Sequence, residues 1–226
     1  MVTCQKGKVM NYNNEVRNAF DDWAATYEKD VVPKLNLRGY SYDELAASIL
    51  SYYNGNMESV PVLELGVGTG VLGQRIKGLA PNVEIEGLDI SSEMLNKAKE
   101  KGVYKSLYLG SADEYIYCGH RTFIYSAFMF HSVSNQELLL SKIADNLDEG
   151  GMFIFVDLIP NMKIMSANAD CNAHSVQYEH GAPAMYKTCA EMIQLVEDSP
   201  FELIELRKLG ISKDYNHYLF ALKKEG

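Results

Sequence analysis

The segment Glu64-Leu65-Gly66-Val67-Gly68-Thr69-Gly70 sets three glycines at alternate positions directly behind an apolar run. Glycines there let a backbone turn sharply and press against a ligand, and the helix that follows offers N–H groups with no partners of their own. Asp89 stands 23 residues beyond Gly66 at the end of a second apolar run. A carboxylate at that place accepts hydrogen bonds from both hydroxyls of a ribose. Taken alone, the glycines are also compatible with a tight structural turn. The succession strand, loop, helix, strand and acid points instead to a nucleotide-bearing cofactor.

Two details choose among cofactors. A dinucleotide fingerprint reads G-x-G-x-x-G, whereas the spacing here is G-x-G-x-G with Val71 following. Glu64 would also repel a pyrophosphate, but it suits a cofactor that carries an ammonium group and no phosphate.

Three stretches of the chain must position these residues. In 1–58, Val16, Phe20, Trp23 and Tyr27 fall at i, i+4, i+7 and i+11, an apolar helical stripe. Ser41 and Glu44 form the S-x-x-E of a capping box, so two helices are expected before any strand. In 59–158, strands expected at 60–65, 83–89, 104–109, 122–128 and 152–158 alternate with helices. Ser91 is the expected N-cap of one helix, and Gly150-Gly151 the stop signal of another. Such β-α-β repetition predicts a mainly parallel sheet with helices on both faces. In 159–226, an irregular segment to 187 precedes a helix expected near 183–198. Two strands at 201–209 and 217–222, joined by a turn at 212–214, should be antiparallel.

The combined motifs resemble class I S-adenosylmethionine-dependent methyltransferases of the small-molecule branch. Val62 to Gly70 is similar to the first motif of that family, and Gly87-Leu88-Asp89-Ile90-Ser91 to its second-strand acidic motif. Ser111-Ala112-Asp113 resembles the adenine-recognition segment, and Ser126-Ala127-Phe128-Met129-Phe130-His131 the segment after the fourth strand. Leu147-Asp148-Glu149-Gly150-Gly151 is similar to the L-x-P-G-G turn, with Glu149 in the proline's place. Phe20 to Tyr27 resembles the helix that precedes the sheet.

The resemblance implies a Rossmann-like, doubly wound α/β fold: a seven-stranded, mostly parallel sheet with an antiparallel final strand and an N-terminal helical cap. It implies one methyltransferase domain over 1–226, divided into a cap (1–58), a cofactor-binding core (59–158), an acceptor-pocket lid (159–187) and the last helix and strands (188–226). It further implies S-adenosylmethionine as cofactor. The Gly66, Gly68, Thr69 and Gly70 loop would lie under its amino-acid and ribose portions, and Asp89 would bind the ribose. Ile90 and Met94 would flank the adenine, whose amino group Asp113 would accept beside Ala112. Ser126 and Phe128 would line the methionine portion, Tyr27 would close over it, and Glu64 would face its ammonium. For Met94 and Phe128, core packing is an equal alternative.

Methyl transfer from a sulfonium needs alignment in a dry pocket, and a base only if the acceptor is protonated. His131 is the candidate base, with a structural hydrogen bond as the alternative. His174, Tyr178 and His180, with Met162, Met165 and Met185, are candidates for an adaptable lid over the acceptor. Their alternative is a solvated loop. Asp170, Cys171, His174 and His180 match no zinc spacing, and Asp157 is the lone acid placed as in metal-dependent relatives, so no metal is expected.

Composition bounds the partners. The chain has 226 residues, 47% hydrophobic and 23% charged, with a formal charge of −9. That charge and the lack of Lys/Arg runs disfavour nucleic acid and favour a small-molecule substrate. No signal peptide or membrane span is expected, and four scattered cysteines read as reduced thiols in a cytoplasmic monomer or homodimer. A protein that binds the cofactor or its demethylated product as a regulator is the alternative in function. A nicotinamide-dependent oxidoreductase is disfavoured by Glu64 and the glycine spacing.

Overall fold

The computed structural model describes residues 2–54, 60–115, 119–161, 177–179, 181–211 and 215–226. Three helices precede the sheet: α1 (Val2–Trp23), α2 (Tyr27–Leu37) and α3 (Tyr42–Leu50). The core then alternates β1 (Val62–Leu65), α4 (Val71–Leu79), β2 (Ile85–Asp89), α5 (Ser92–Glu100), β3 (Tyr104–Leu109), β4 (Arg121–Ala127), α6 (Gln136–Asn146) and β5 (Leu147–Pro160). A short hairpin of β6 (Gln177–Glu179) and β7 (Ala182–Ala184) leads to α7 (Cys189–Glu197), β8 (Phe201–Ile211) and β9 (Tyr215–Lys224).

The main sheet has seven strands in the order β3-β2-β1-β4-β5-β9-β8. The pairs β3–β2, β2–β1, β1–β4 and β4–β5 are parallel, and β9 runs antiparallel to both its neighbours. This is the expected Rossmann-like sheet with an antiparallel final strand. The strands bury both faces with a two-residue period. Ile124, Phe153, Phe155, Phe220 and Leu222 face α6 and α7, where Leu139, Leu140, Ile143, Met192 and Val196 meet them. Their alternates Phe123, Tyr125, Ile154, Val156, Leu219 and Ala221 face α3 and α4, with Leu45, Ile49, Leu72 and Ile76.

Four local expectations are corrected. The stripe from Val16 to Tyr27 is not one helix, so three helices precede the sheet rather than two. The break comes where Asp30, in the first turn of α2, accepts from Trp23 Nε1 (2.7 Å) and Thr26 Oγ1 (3.0 Å). Gly150-Gly151 does not stop a helix. α6 ends at Asn146, and β5 starts at Leu147 with a register shift against β4 that takes up the extra residues. β5 also extends to Pro160, so 159–160 belong to the sheet. Residues 182–184 are a strand, and the last helix starts only at Cys189, behind a capping box of Thr188 and Glu191. The Ser41–Glu44 capping box and the Ser91 N-cap are both formed. The turn expected at 212–214 lies outside the described residues.

Candidate active site

Strand order reverses between β1 and β4, which opens a crevice at their carboxyl ends. A cleft of about 600 Å³, open to solvent, fills it. Its walls come from each strand end in turn: Gly66 and Gly68, Asp89 and Ile90, Gly110 to Ala112, and Ala127 to Met129. Val16, Phe20 and Tyr27 cover it, and Met94 closes the far side. Gly66 has φ +71°, and a Cβ there would lie 2.6 Å from Met129 Cβ, so only glycine fits.

Asp89 is the polar centre of this cleft. One carboxylate oxygen accepts from Gly68 N–H (2.7 Å) and the other from Ser91 N–H (2.9 Å). Burial lifts its pKa to about 6 against the pull of those N–H groups. The Ser91 hydroxyl accepts from Met94 N–H and donates to Asp21 (2.6 Å), which also accepts from Glu93 N–H (3.1 Å). With Arg17 Nε donating to the Ile90 carbonyl (3.2 Å), α1 is clipped over the cleft.

A side chamber of about 300 Å³ continues under the loop, lined by Tyr27, Tyr42, Glu64, Thr69 and Phe128 among others. Glu64 is 1% exposed, and its Oε2 accepts from Tyr104 OH (2.8 Å) and Tyr125 OH (3.0 Å). Burial raises its pKa to about 8, which the two hydroxyls only partly oppose. Tyr104 reaches Glu64 across Gly73. A Cβ at Gly73 would collide with the Tyr104 hydroxyl and lie 2.8 Å from Glu64 Oε2. Thr69 Oγ1 and Ser126 Oγ are buried with no hydrogen-bond partner among the described residues.

A third cavity, again about 600 Å³ and open to solvent, lies beyond the first. α1, α2 and the C-cap residue of α2 supply Phe20, Trp23, Tyr27, Val31, Lys34, Leu35 and Arg38 to it. Phe128, His131, Ser132, Leu158, Ala182 and Ala184 form the opposite wall. Phe20, Tyr27, Phe128 and Ser132 line both large cavities, so the two share a wall. Phe128 holds φ +58°, unlike every other described non-glycine residue, and its N–H donates to the Val156 carbonyl (2.8 Å). That conformation costs a bulky residue on the order of 1–3 kcal/mol and marks the junction as over-determined by its surroundings.

His131 is fixed on three sides. Its backbone N–H donates to Asp157 Oδ2 (2.7 Å), its Nδ1 lies 2.5 Å from Asp157 Oδ1, and its ring stacks on Tyr186 with centroids 5.0 Å apart. Asp157, in β5, is fully buried. A second histidine, His217, is also buried, with Nδ1 2.5 Å from Tyr40 OH. Burial, with Arg38 adding to it, pushes its pKa down to about 3, so it stays neutral.

The geometry therefore brings together Tyr27, Gly66, Gly68, Asp89, Ile90, Met94, Ala112 and Phe128 in the first cleft, Glu64 and Thr69 in the chamber, and His131 in the third cavity. Gly70, Asp113 and Ser126 do not line these walls. Gly70 caps α4 at φ +81° and packs on Ala98. Asp113 accepts from Ser111 Oγ (2.5 Å), Ser134 Oγ (2.6 Å) and Asn135 N–H (3.2 Å), tying the loop after β3 to the start of α6. His174, His180, Met162, Met165, Asp170 and Cys171 lie outside the described residues, as does the side chain of Tyr178. Sequence reasoning missed Tyr104, Tyr125 and Gly73 beneath Glu64, for which no local signal exists. It weighed Asp157 only as a metal ligand. An acid inside the apolar run 152–158 was the available signal for a buried partner.

Comparison with known proteins places this geometry. Residues 62–151, from β1 into β5, match the family model described as a methyltransferase domain. This stretch is a methyltransferase domain, and the likenesses support a class I S-adenosylmethionine-dependent methyltransferase. It is 32% identical over 114 residues to malonyl-[acyl-carrier protein] O-methyltransferase 1 of Ilyobacter polytropus, covering 49% of this chain and 42% of that protein. It is 33% identical over 101 residues to demethylmenaquinone methyltransferase of Thermotoga maritima, covering 44% of each. The chain thus spans less than half the length of these curated relatives. Magnesium protoporphyrin IX methyltransferase of Synechocystis PCC 6803, solved with bound SAM, shares the fold at TM-score 0.68 and 13% identity, over 94% of this chain and 97% of that one. The stretch matched to the family model holds the first cleft's strand ends and Glu64, whereas α2, Asp157, Leu158 and β7 fall outside it.

Proposed function

We propose that this chain transfers a methyl group from S-adenosylmethionine to a small molecule whose accepting atom carries a proton, with His131 as base. The observation that carries the reading is the wall of Phe20, Tyr27, Phe128 and Ser132, shared by the glycine-loop cleft and the cavity that holds the His131–Asp157 pair.

The residues present fit the cofactor. Asp89 offers its remaining carboxylate lone pairs to a ribose, and Glu64 is an acid facing a chamber of the size of an amino-acid tail. One buried hydroxyl lining that chamber, Thr69, has hydrogen-bonding capacity to spare. Asp113 would act on the adenine end through the Ser111–Ala112 backbone that it holds. When bound, S-adenosylmethionine supplies an activated methyl group on a sulfonium.

The chain's own residues do the rest. An ionised Asp157 accepts only, so Nδ1 of His131 carries the hydrogen and Nε2 is left as the basic nitrogen. A hydroxyl or thiol beside Nε2 would pass its proton there as an oxygen or sulfur lone pair takes the methyl group, and an ammonium would first give up its proton to Nε2 to free a lone pair. In each case the methyl–sulfur bond breaks and its electrons stay on the donor sulfur. Phe20, Trp23 and Tyr27 exclude water and restrict the acceptor's orientation. The described end of the expected lid borders this pocket: Ala182 and Ala184 line it, and Tyr186 stacks on His131. The relatives' names specify unlike acceptors, so the acceptor must be sought in the pocket. A formal charge of −9 favours a small molecule over nucleic acid, and no helix among the described residues is long and apolar enough to cross a membrane.

Calorimetry with S-adenosylhomocysteine and with NAD tests the donor half. Binding of the former and not the latter is expected, and tight NAD binding alone overturns the reading. Release of S-adenosylhomocysteine with a protonated acceptor tests the other half. Binding without turnover across acceptor classes would favour a regulatory role.

A further inference from the structure

The cavity around His131 contains two cations that methyl transfer itself does not use. Lys34, in the last turn of α2, and Arg38, the C-cap residue that follows the helix, stand four residues apart, and both line the cavity. Both are half-buried, and among the described residues no carboxylate lies within ion-pair distance of either. Elsewhere cations of this acidic chain find acids: Lys101 with Glu28 (2.9 Å), Lys105 with Glu84 (2.6 Å), Arg121 with Glu86. A cation withdrawn from water against Val31, Leu35 and Leu158 loses hydration without a counter-charge. Position at the end of α2, near its negative dipole pole, accounts for a surface cation but not for two turned into an apolar cavity.

We infer that the acceptor is a small acid, with an apolar body between Trp23 and Leu158 and a carboxylate held by Lys34 and Arg38. This rests on the proposal that the cavity is the acceptor site. Lys34 and Arg38 line the third cavity alone, not the wall it shares with the donor cleft. The carboxylate is therefore an anchor, and the accepting atom is a separate group of the same molecule, placed beside His131. A planar guanidinium paired with an ammonium matches the two oxygens of a carboxylate. The pair discriminates sharply against an uncharged analogue, because an amide leaves both cations unpaired.

Trp23, the chain's only tryptophan, lines the cavity and reports its occupancy by fluorescence. The full chain, saturated with S-adenosylhomocysteine at fixed 150 mM salt, is titrated with 3-phenylpropionate and octanoate and with their amides. At least one acid should bind about tenfold or more tightly than its amide. In Lys34→Gln/Arg38→Gln the ratio should fall to within about twofold, with affinity for S-adenosylhomocysteine unchanged. Equal binding of acid and amide, silence of Trp23 with both acids, or a preference that survives the double substitution overturns the inference. The wild-type comparison stands even if the double variant does not fold. S-adenosylhomocysteine affinity, measured first on the same sample, separates failure of the methyl-transfer reading from failure of the carboxylate anchor. The acid–amide titration is repeated without it.

Discussion

The two large cavities differ in what they are made of. The donor cleft is built from strand ends and backbone: Gly66, Gly68, Gly110 and Ala112 approach it without bulk, and one carboxylate, Asp89, organises the loop through Gly68 and Ser91 N–H groups. The proposed acceptor pocket is built from side chains of α1, α2, the turn after β4, β5 and β7. The backbone that shapes the first is matched by the family model. Most residues of the second, the proposed acceptor pocket, lie outside the matched stretch.

If that division is real, the two halves should fail separately. The largest effect is expected on the acceptor side. His131→Ala should lower kcat by about 10²- to 10⁴-fold with S-adenosylhomocysteine affinity unchanged, whereas Asp157→Asn, which only mis-sets the ring, should cost about 10- to 100-fold. Steady-state kinetics paired with calorimetry checks both, and a parallel loss of donor affinity would break the comparison. Next comes Asp89→Ala, which leaves two buried N–H groups without their acceptor. A donor-affinity loss of about 100-fold is expected, corresponding to roughly 2–3 kcal/mol, with acid binding at Trp23 retained.

Gly73→Ala sharpens the donor side further. Its Cβ would drive Tyr104 off Glu64, so chemical denaturation should show a loss of about 1–3 kcal/mol. A pH slope probes the same side. Glu64, raised by burial to about 8 from an ordinary 4.5, binds one more proton in the folded chain than in the unfolded chain between those values. Its stabilising contribution is complete below about 4.5 and is lost as pH rises through about 8. The nearby acid Asp89, at about 6, adds a similar slope at lower pH. An ammonium ligand favours ionised Glu64. S-adenosylhomocysteine binding near pH 7 should therefore release up to about one proton, read from calorimetry in buffers of different ionisation enthalpy. Glu64→Gln should abolish that release, and a wild-type chain releasing none would separate Glu64 from the ammonium.

The sheet was legible because its signals are local. Apolar runs at fixed intervals, glycines at their ends and the Ser41 and Ser91 caps each act over a few residues. The errors arose where a side-chain or cross-strand partner decided. Asp30 draws in Trp23 and Thr26 and breaks the N-terminal helix, and β4 takes Leu147 as its partner before Gly150-Gly151 can act as a stop. Asp113 was read as an adenine contact by resemblance, but its oxygens meet Ser134 and Asn135, which only the placement of α6 brings near.

By itself, the sequence determined the α/β class, the glycine loop with its acids at 64 and 89, and the position of His131 just behind β4. Those depend on short-range backbone geometry and on residue order. Only the tertiary structure decided that Asp157 orients His131, that Tyr104 passes over Gly73 to Glu64, and that Lys34 and Arg38 face the same pocket. Each of these joins residues far apart in the chain, and burial and charge between such partners arise only when helices dock on the sheet.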